Sequence, residues 1–226
     1  MTKILLRALG LLLLLTGMAA VASADSGGTL TLINGGNNVM GNVYVGPYNF
    51  NYTSNGSGDP LLQLICDDYT HDVYAGESWK VTVTSFSSLT STSNLQFPGA
   101  TLFQYEEAAW LANAIFASNN STDIGQLQYL LWNVFDPGVA NGLNLTADVS
   151  NLLSELGAAE NSNFTNCGAY CNFSDLVLYT PIEGSQNPYS DGQPQEYFGR
   201  VPEPGTLVLL AAGFLGVVAL RLISKA

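Results

Sequence analysis

The stretch that most constrains this chain is Asp123–Phe135, DIGQLQYLLWNVF. At about 3.6 residues per turn, Ile124, Leu127, Leu131, Trp132 and Phe135 fall on one apolar stripe, so the segment is an amphipathic helix whose face must be covered. Gln128 lies inside that stripe, one turn after Ile124 and one turn before Trp132. A neutral carboxamide on a core face costs free energy unless its polar atoms find partners. Whatever packs on this helix must therefore meet Gln128 at one spot. The candidate is Cys66, which ends the apolar run Leu61–Cys66.

Upstream of this helix the chain reads as strands. Thr29–Ile33 alternates, Val43–Val45 and Tyr48–Tyr52 continue the pattern, and Ser78–Phe86 alternates cleanly. Leu61–Cys66 is apolar apart from Gln63, as a central strand is, and Asn34-Gly35-Gly36-Asn37 is a turn signal. The period changes near Gln104: Ala108, Leu111, Ala112, Ile115 and Phe116 make a helical stripe in Tyr105–Ala117. Ser121 or Thr122 then caps the Gln128 helix, and Asp136-Pro137-Gly138 stops it. Asn144–Leu156 reads as a third helix capped by Thr146. Leu176–Tyr179 and Gln195–Phe198 read as closing strands joined by the Pro/Gly/Asn-rich segment Pro181–Pro194. Strands, then helices, then strands define an α+β domain: a largely antiparallel β-sandwich or barrel-like body with a helical insertion.

The ends carry other signals. Met1–Ala24 has a basic start (Lys3, Arg7), an apolar core Ala8–Leu15 and a small-x-small site Ala22-Ser23-Ala24. That is a secretory signal peptide, with an uncleaved anchor as the alternative. At the other end, Val201-Pro202-Glu203-Pro204-Gly205-Thr206 precedes the apolar run Leu207–Leu220 and the basic residues Arg221 and Lys225. This end, Val201–Ala226, resembles the PEP-CTERM sorting signal of Gram-negative bacteria. The resemblance implies that Pro202, Glu203 and Pro204 are recognised by an exosortase-type sorting peptidase. It also implies a transient anchor in the inner membrane through the C-terminal transmembrane helix, then a place at the cell surface or in the extracellular matrix, by release or by transfer to another anchor. The basic tail suits a cytoplasmic end, and a permanent anchor is the alternative. The expected organisation is a signal peptide at 1–24, one domain at 25–200 and the sorting signal at 201–226.

Only Lys80 and Arg200, of the six basic residues, fall between Asp25 and Pro204, against all 18 acidic ones, so the mature segment carries a net charge of about −16. Such a surface repels phosphate backbones and anionic lipid, which excludes nucleic acid as a partner. The three cysteines leave one thiol over. Cys167 and Cys171 are close in sequence and can reach the Cα separation of a disulfide. Cys66 is then unpaired in an oxidising compartment; a buried inert thiol or a link between chains are the other possibilities.

Leu61–Phe135 resembles in pattern the thioester domains of bacterial surface adhesins. In that family a strand Cys is joined to a Gln in a helical motif Thr-Gln-x-Ala-Ile/Val-Trp. Leu127-Gln128-Tyr129-Leu130-Leu131-Trp132 keeps the Gln-to-Trp spacing, with Leu127 at the Thr position and Leu130 and Leu131 at the two apolar ones. Asp67 follows Cys66 as in the family, and the helix carrying Trp110 stands between Cys and Gln. The resemblance implies an internal thioester between the Cys66 sulfur and the Gln128 side-chain carbonyl, formed with loss of ammonia, with Asp67 and Trp132 as supporting positions. The chemistry needs near-attack contact, roughly 3–3.5 Å, and exclusion of water. Gln126 lies about 200° around the helix from Gln128, at about 100° per residue, so the two cannot both face Cys66.

Cys66-Asp67-Asp68-Tyr69-Thr70-His71-Asp72 gathers carboxylates, a thiol and the only His of the chain, but without a standard metal-ligand spacing, so no metal and no cofactor is expected. The expected action is a single covalent capture of a nucleophile on a surface, polysaccharide or protein partner, in adhesion or attachment, and not enzymatic turnover. The alternative is a non-covalent extracellular matrix or exopolysaccharide-associated structural protein, whose aromatics Tyr44, Tyr48, Tyr52 and Trp79 could face sugars. A secreted hydrolase would require Asp67, Asp68 and His71 to form a site.

Overall fold

The computed structural model of the chain describes residues 27–54, 57–58, 61–165, 168–182, 184–185 and 194–200. The signal peptide, Pro202-Glu203-Pro204 and Leu207–Leu220 lie outside the described residues. In chain order the strands are β1 (Gly28–Asn34), β2 (Val39–Met40), β3 (Val43–Tyr44), β4 (Tyr48–Ser54), β5 (Ser57–Gly58), β6 (Leu62–Cys66) and β7 (Ser78–Ser85). Helices α1 (Leu102–Ala117), α2 (Ser121–Phe135) and α3 (Ala147–Asn161) follow, then β8 (Leu176–Pro181) and β9 (Tyr197–Arg200).

Strands β1, β7, β8, β9, β6 and β4 pair antiparallel in that order, and β4 returns to β1 with Leu30 opposite Tyr52 and Leu32 opposite Phe50. The sheet therefore closes into a barrel, which leaves its main strands without free edges. Period-two alternation decides what fills it: Tyr48, Phe50 and Tyr52 point in while Asn49, Asn51 and Thr53 point out. Phe50 meets Tyr197 at 4.7 Å and Trp79 at 5.9 Å between ring centroids. Tyr52 and Trp79 are thus buried in the barrel and do not face a ligand.

The helical insertion between β7 and β8 covers one outer face of the barrel. Ile65, Leu176, Leu178 and Phe198 pack there against Leu111, Ile115, Leu127 and Leu131. Both faces of β6 are therefore buried, which is why its sequence is a nearly unbroken apolar run. Helix α1 differs from its expected stripe: Ala108 to Ile115 are buried without interruption. The cause is enclosure on a second side, where Trp110 meets Tyr170 at 4.9 Å and Asn113 Nδ2 donates to the carbonyls of Tyr170 (2.9 Å) and Asn172 (3.2 Å). Helix α2 is capped by Asn120, not by Ser121 or Thr122: the Asn120 side chain accepts from the Thr122 N–H at 2.9 Å, and Ser121 is already helical. Thr146 caps α3 as expected, but the helix runs on to Asn161, burying Leu156 and Ala159. Among the described residues no helix is long and apolar enough to cross a membrane.

Candidate functional site

Helix α2 lays Gln128 against the end of β6. Gln128 is fully buried. Its Nε2 donates to the Cys66 backbone carbonyl at 2.7 Å, and its Oε1 accepts from the Gly46 N–H at 3.2 Å. Gly46 follows Val45, which is itself buried under the helices. A Cβ at position 46 would fall 2.9 Å from Gln128 Oε1 and 3.0 Å from Ile65 Cδ1, so any larger residue here would push the carboxamide from its place. The carboxamide is thus held on the Cys66 residue by its backbone, while the sulfur is held by the turn that follows. Cys66 Sγ–H donates to the Asp68 carbonyl at 3.1 Å, and the Asp68 N–H approaches the sulfur at 3.4 Å.

Cys66 is a free, fully buried thiol. Burial, then the charges of Asp68 and Asp67, push its pKa well above the usual thiol range, and the Asp68 backbone N–H and the Trp132 indole pull partly the other way. The Trp132 Nε1–H makes no hydrogen bond of good geometry, yet it lies close enough to the sulfur to favour its charged form. Trp132 is one turn beyond Gln128 on α2, so the Gln-x-x-x-Trp spacing puts amide and indole on the same side of one strand end. Gln126 is buried too but faces away: its Nε2 donates to the Asn144 carbonyl and its Oε1 accepts from the Thr146 N–H, each at 2.9 Å, which ties α2 to the start of α3.

The turn after Cys66 is pinned from several sides. Asp68 Oδ1 accepts from the Thr70 N–H and hydroxyl, both at 2.8 Å; Oδ2 lies 2.6 Å from His71 Nδ1 and accepts from Gln96 Nε2 at 3.1 Å. Gln195 Nε2 donates to the carbonyls of Asp68 and His71, and its Oε1 accepts from the Tyr197 hydroxyl at 2.6 Å. Asp67 turns the other way, beneath α1, where it faces Glu196. Burial first, then Glu196, raise the Asp67 pKa well above the carboxylate range. Glu196 Oε1 accepts from the Tyr105 hydroxyl at 2.9 Å, and its Oε2 from Thr180 Oγ1 and the Gln96 N–H. Asp67 and Glu196 thus face each other as a buried pair of acids, and burial raises the pKa of each.

The structure therefore brings Gln128, Cys66 and Trp132 together and separates Asp67 from them. Asp68 and His71 pair, but Asp67 does not join them, so the constellation a hydrolase would need is not assembled. Sequence reading missed Gly46 and Glu196; Gly46 carries no motif, and Glu196 meets Asp67 through pairing of β6 with β9 at long range. Cys171 is disulfide-bonded, while Cys167 lies outside the described residues.

Residues 200–223 match the model of the PEP-CTERM protein-sorting motif. A search of curated proteins finds no match. Among solved structures, the N-terminal thioester domain of a surface protein from Clostridium perfringens is similar at 12% identity and a TM-score of 0.43, covering 77% of this chain and 98% of that one. At that level the likeness bears on neither the bond nor the activity of this chain. The sorting motif marks the chain as an exported protein that passes through a membrane-anchored step on its way to the cell surface.

Proposed function

We propose that this exported protein captures a partner covalently through a thioester between Cys66 Sγ and the side-chain carbonyl carbon of Gln128. The observation that carries the reading is the fully buried Gln128 carboxamide, with its nitrogen on the backbone carbonyl of Cys66, whose thiol is free, and its carbonyl oxygen held by the Gly46 N–H. That N–H is a donor for the charge that develops on oxygen when sulfur attacks. The S–C bond forms, the C–N bond breaks, and the thiol proton leaves on nitrogen as ammonia. A partner amine or hydroxyl later takes the acyl group, and its proton returns to the Cys66 sulfur. Each chain acts once; it is not a turnover enzyme. Burial raises the Cys66 thiol pKa and so disfavours the thiolate that attacks the carboxamide.

Treatment of the native protein with methylamine tests this. The expected result is methylamine on Gln128 together with a newly alkylatable Cys66, both lost in Cys66→Ala and in Gln128→Ala. Methylamine-free Gln128 beside a Cys66 that is alkylated from the start would contradict it.

A second reading has its own observation. Both polar atoms of Gln128 are satisfied by backbone groups, as they are when a buried glutamine serves only to pin a helix to a strand. The protein would then be a non-covalent matrix or exopolysaccharide-associated structural component. In either reading the sorting peptidase that recognises Pro202-Glu203-Pro204 is a partner, and processing removes Leu207–Leu220.

A further inference from the structure

A cleft of about 430 Å³ opens to solvent between the β2–β3 hairpin, the segment from Asp68 to Ala75, and Trp132. We propose that this cleft binds a neutral oligosaccharide, stacked on Tyr44, Tyr69 and Tyr74. The volume falls in the range of small-molecule sites. Its three rings are exposed by 57%, 41% and 60%, an arrangement that core packing does not explain.

Two of the rings are held in place. The Tyr44 ring lies on Gly35, where a Cβ would fall 2.3 Å from Tyr44 Cγ, and the Tyr44 carbonyl accepts from the Tyr48 hydroxyl at 2.6 Å. Tyr69 packs on Trp132 with centroids 5.1 Å apart. Fixed aromatic surfaces lose little entropy when a ligand settles on them.

The polar lining selects the ligand. It holds Asn34, Asn42 and His71, with no Lys or Arg, while the polar atoms of Gln195 are taken by the Asp68 and His71 carbonyls and the Tyr197 hydroxyl. Both oxygens of Asp68 are already used by Thr70, His71 and Gln96, so its charge is not available to a cation. Asp72 is the remaining carboxylate, exposed at the rim. An anionic glycan is repelled, a cationic side chain finds no buried partner, and a polyol with apolar ring faces and many hydroxyls fits both features.

The inference rests on the cleft alone and holds whether or not the thioester forms.

The test uses the exported chain carrying Cys66→Ala, so that no covalent step can intervene. It is titrated by calorimetry and tryptophan fluorescence with cellohexaose, mannohexaose and a galactan oligomer. Trilysine and oligogalacturonate serve as cationic and anionic counterparts. At least one neutral oligomer binds, and Tyr44→Ala and Tyr74→Ala each weaken it roughly three- to tenfold. Tyr74→Phe keeps binding within about twofold, since it keeps the ring. Gly35→Ala, which displaces the Tyr44 ring without removing it, weakens it as well. Absence of binding to every neutral oligomer, binding of trilysine instead, or affinity unchanged in the Tyr44→Ala/Tyr74→Ala pair overturns the proposal. Unchanged circular dichroism of these surface variants confirms that the fold is intact.

Discussion

Replacing Gln128 by alanine removes the one side chain that ties α2 to the end of β6 through hydrogen bonds. In the chain without the thioester, two buried backbone groups lose their partners: the Gly46 N–H and the Cys66 carbonyl. Each unpaired buried group costs about 1–3 kcal/mol. The removed atoms leave a small cavity worth roughly another 1 kcal/mol, because Gln128 is fully enclosed. The expected loss is therefore about 3–7 kcal/mol, a large share of the stability of a domain this size. Urea denaturation followed by tryptophan fluorescence measures it. Gln126→Ala is the comparison: it also breaks two hydrogen bonds, but at the partly buried start of α3, where water can replace them. Its cost is about 1–2 kcal/mol. Cys66→Ala separates the two readings of the site. Without a bond it costs about 1 kcal/mol. With a bond it also opens a loop whose ends are 62 residues apart, which adds about 4 kcal/mol by the chain-entropy account. A loss below about 1 kcal/mol for Gln128→Ala would refute the claim that its carboxamide is a buried pin.

Further outcomes follow from the same structure. Gly46→Ala drives a methyl group into Gln128 Oε1 and Ile65, so it destabilises by about 2 kcal/mol and suppresses methylamine uptake at Gln128, as mass spectrometry of the digested variant will show. Burial and Glu160 raise the Glu107 pKa to about 7, and burial and Glu196 raise that of Asp67. Folded-state values above unfolded ones give stability that is complete below the unfolded carboxylate pKa and is lost as pH rises through the folded values. The urea midpoint is thus higher at pH 5 than at pH 8, and Glu107→Gln flattens the part of the slope below pH 7; a midpoint that rises with pH contradicts this. Peptide mapping without reduction finds Cys167 linked to Cys171; a link from Cys66 to either of them removes the free thiol on which the capture reading depends.

The periodicities were legible wherever one face of an element is buried. The alternation of Tyr48, Phe50 and Tyr52 and the stripe of α2 both follow from a single covered face. Gln128 stood out because it interrupts such a stripe. The α1 stripe was read too narrowly, since a sequence cannot show that a second layer closes over Trp110. The cap of α2 was misread because Asn120, Ser121 and Thr122 all have capping side chains, and backbone angles decide among them. Tyr52 and Trp79 were offered to sugars because an aromatic in an alternating strand can face either way, and barrel closure sent both inward. The Asp67–Glu196 pair lay beyond reach for a different reason: it depends on β6 pairing with β9, a contact made across the whole helical insertion.

Intact mass of the mature exported chain, purified without reductant and without amines, tests the central claim most directly. The account predicts a mass one ammonia below that of the processed sequence after allowance for the disulfide, restored to the sequence value in Cys66→Ala and in Gln128→Ala but not in Gln126→Ala. A native chain at full sequence mass, with Cys66 open to alkylation before any nucleophile is added, would contradict it.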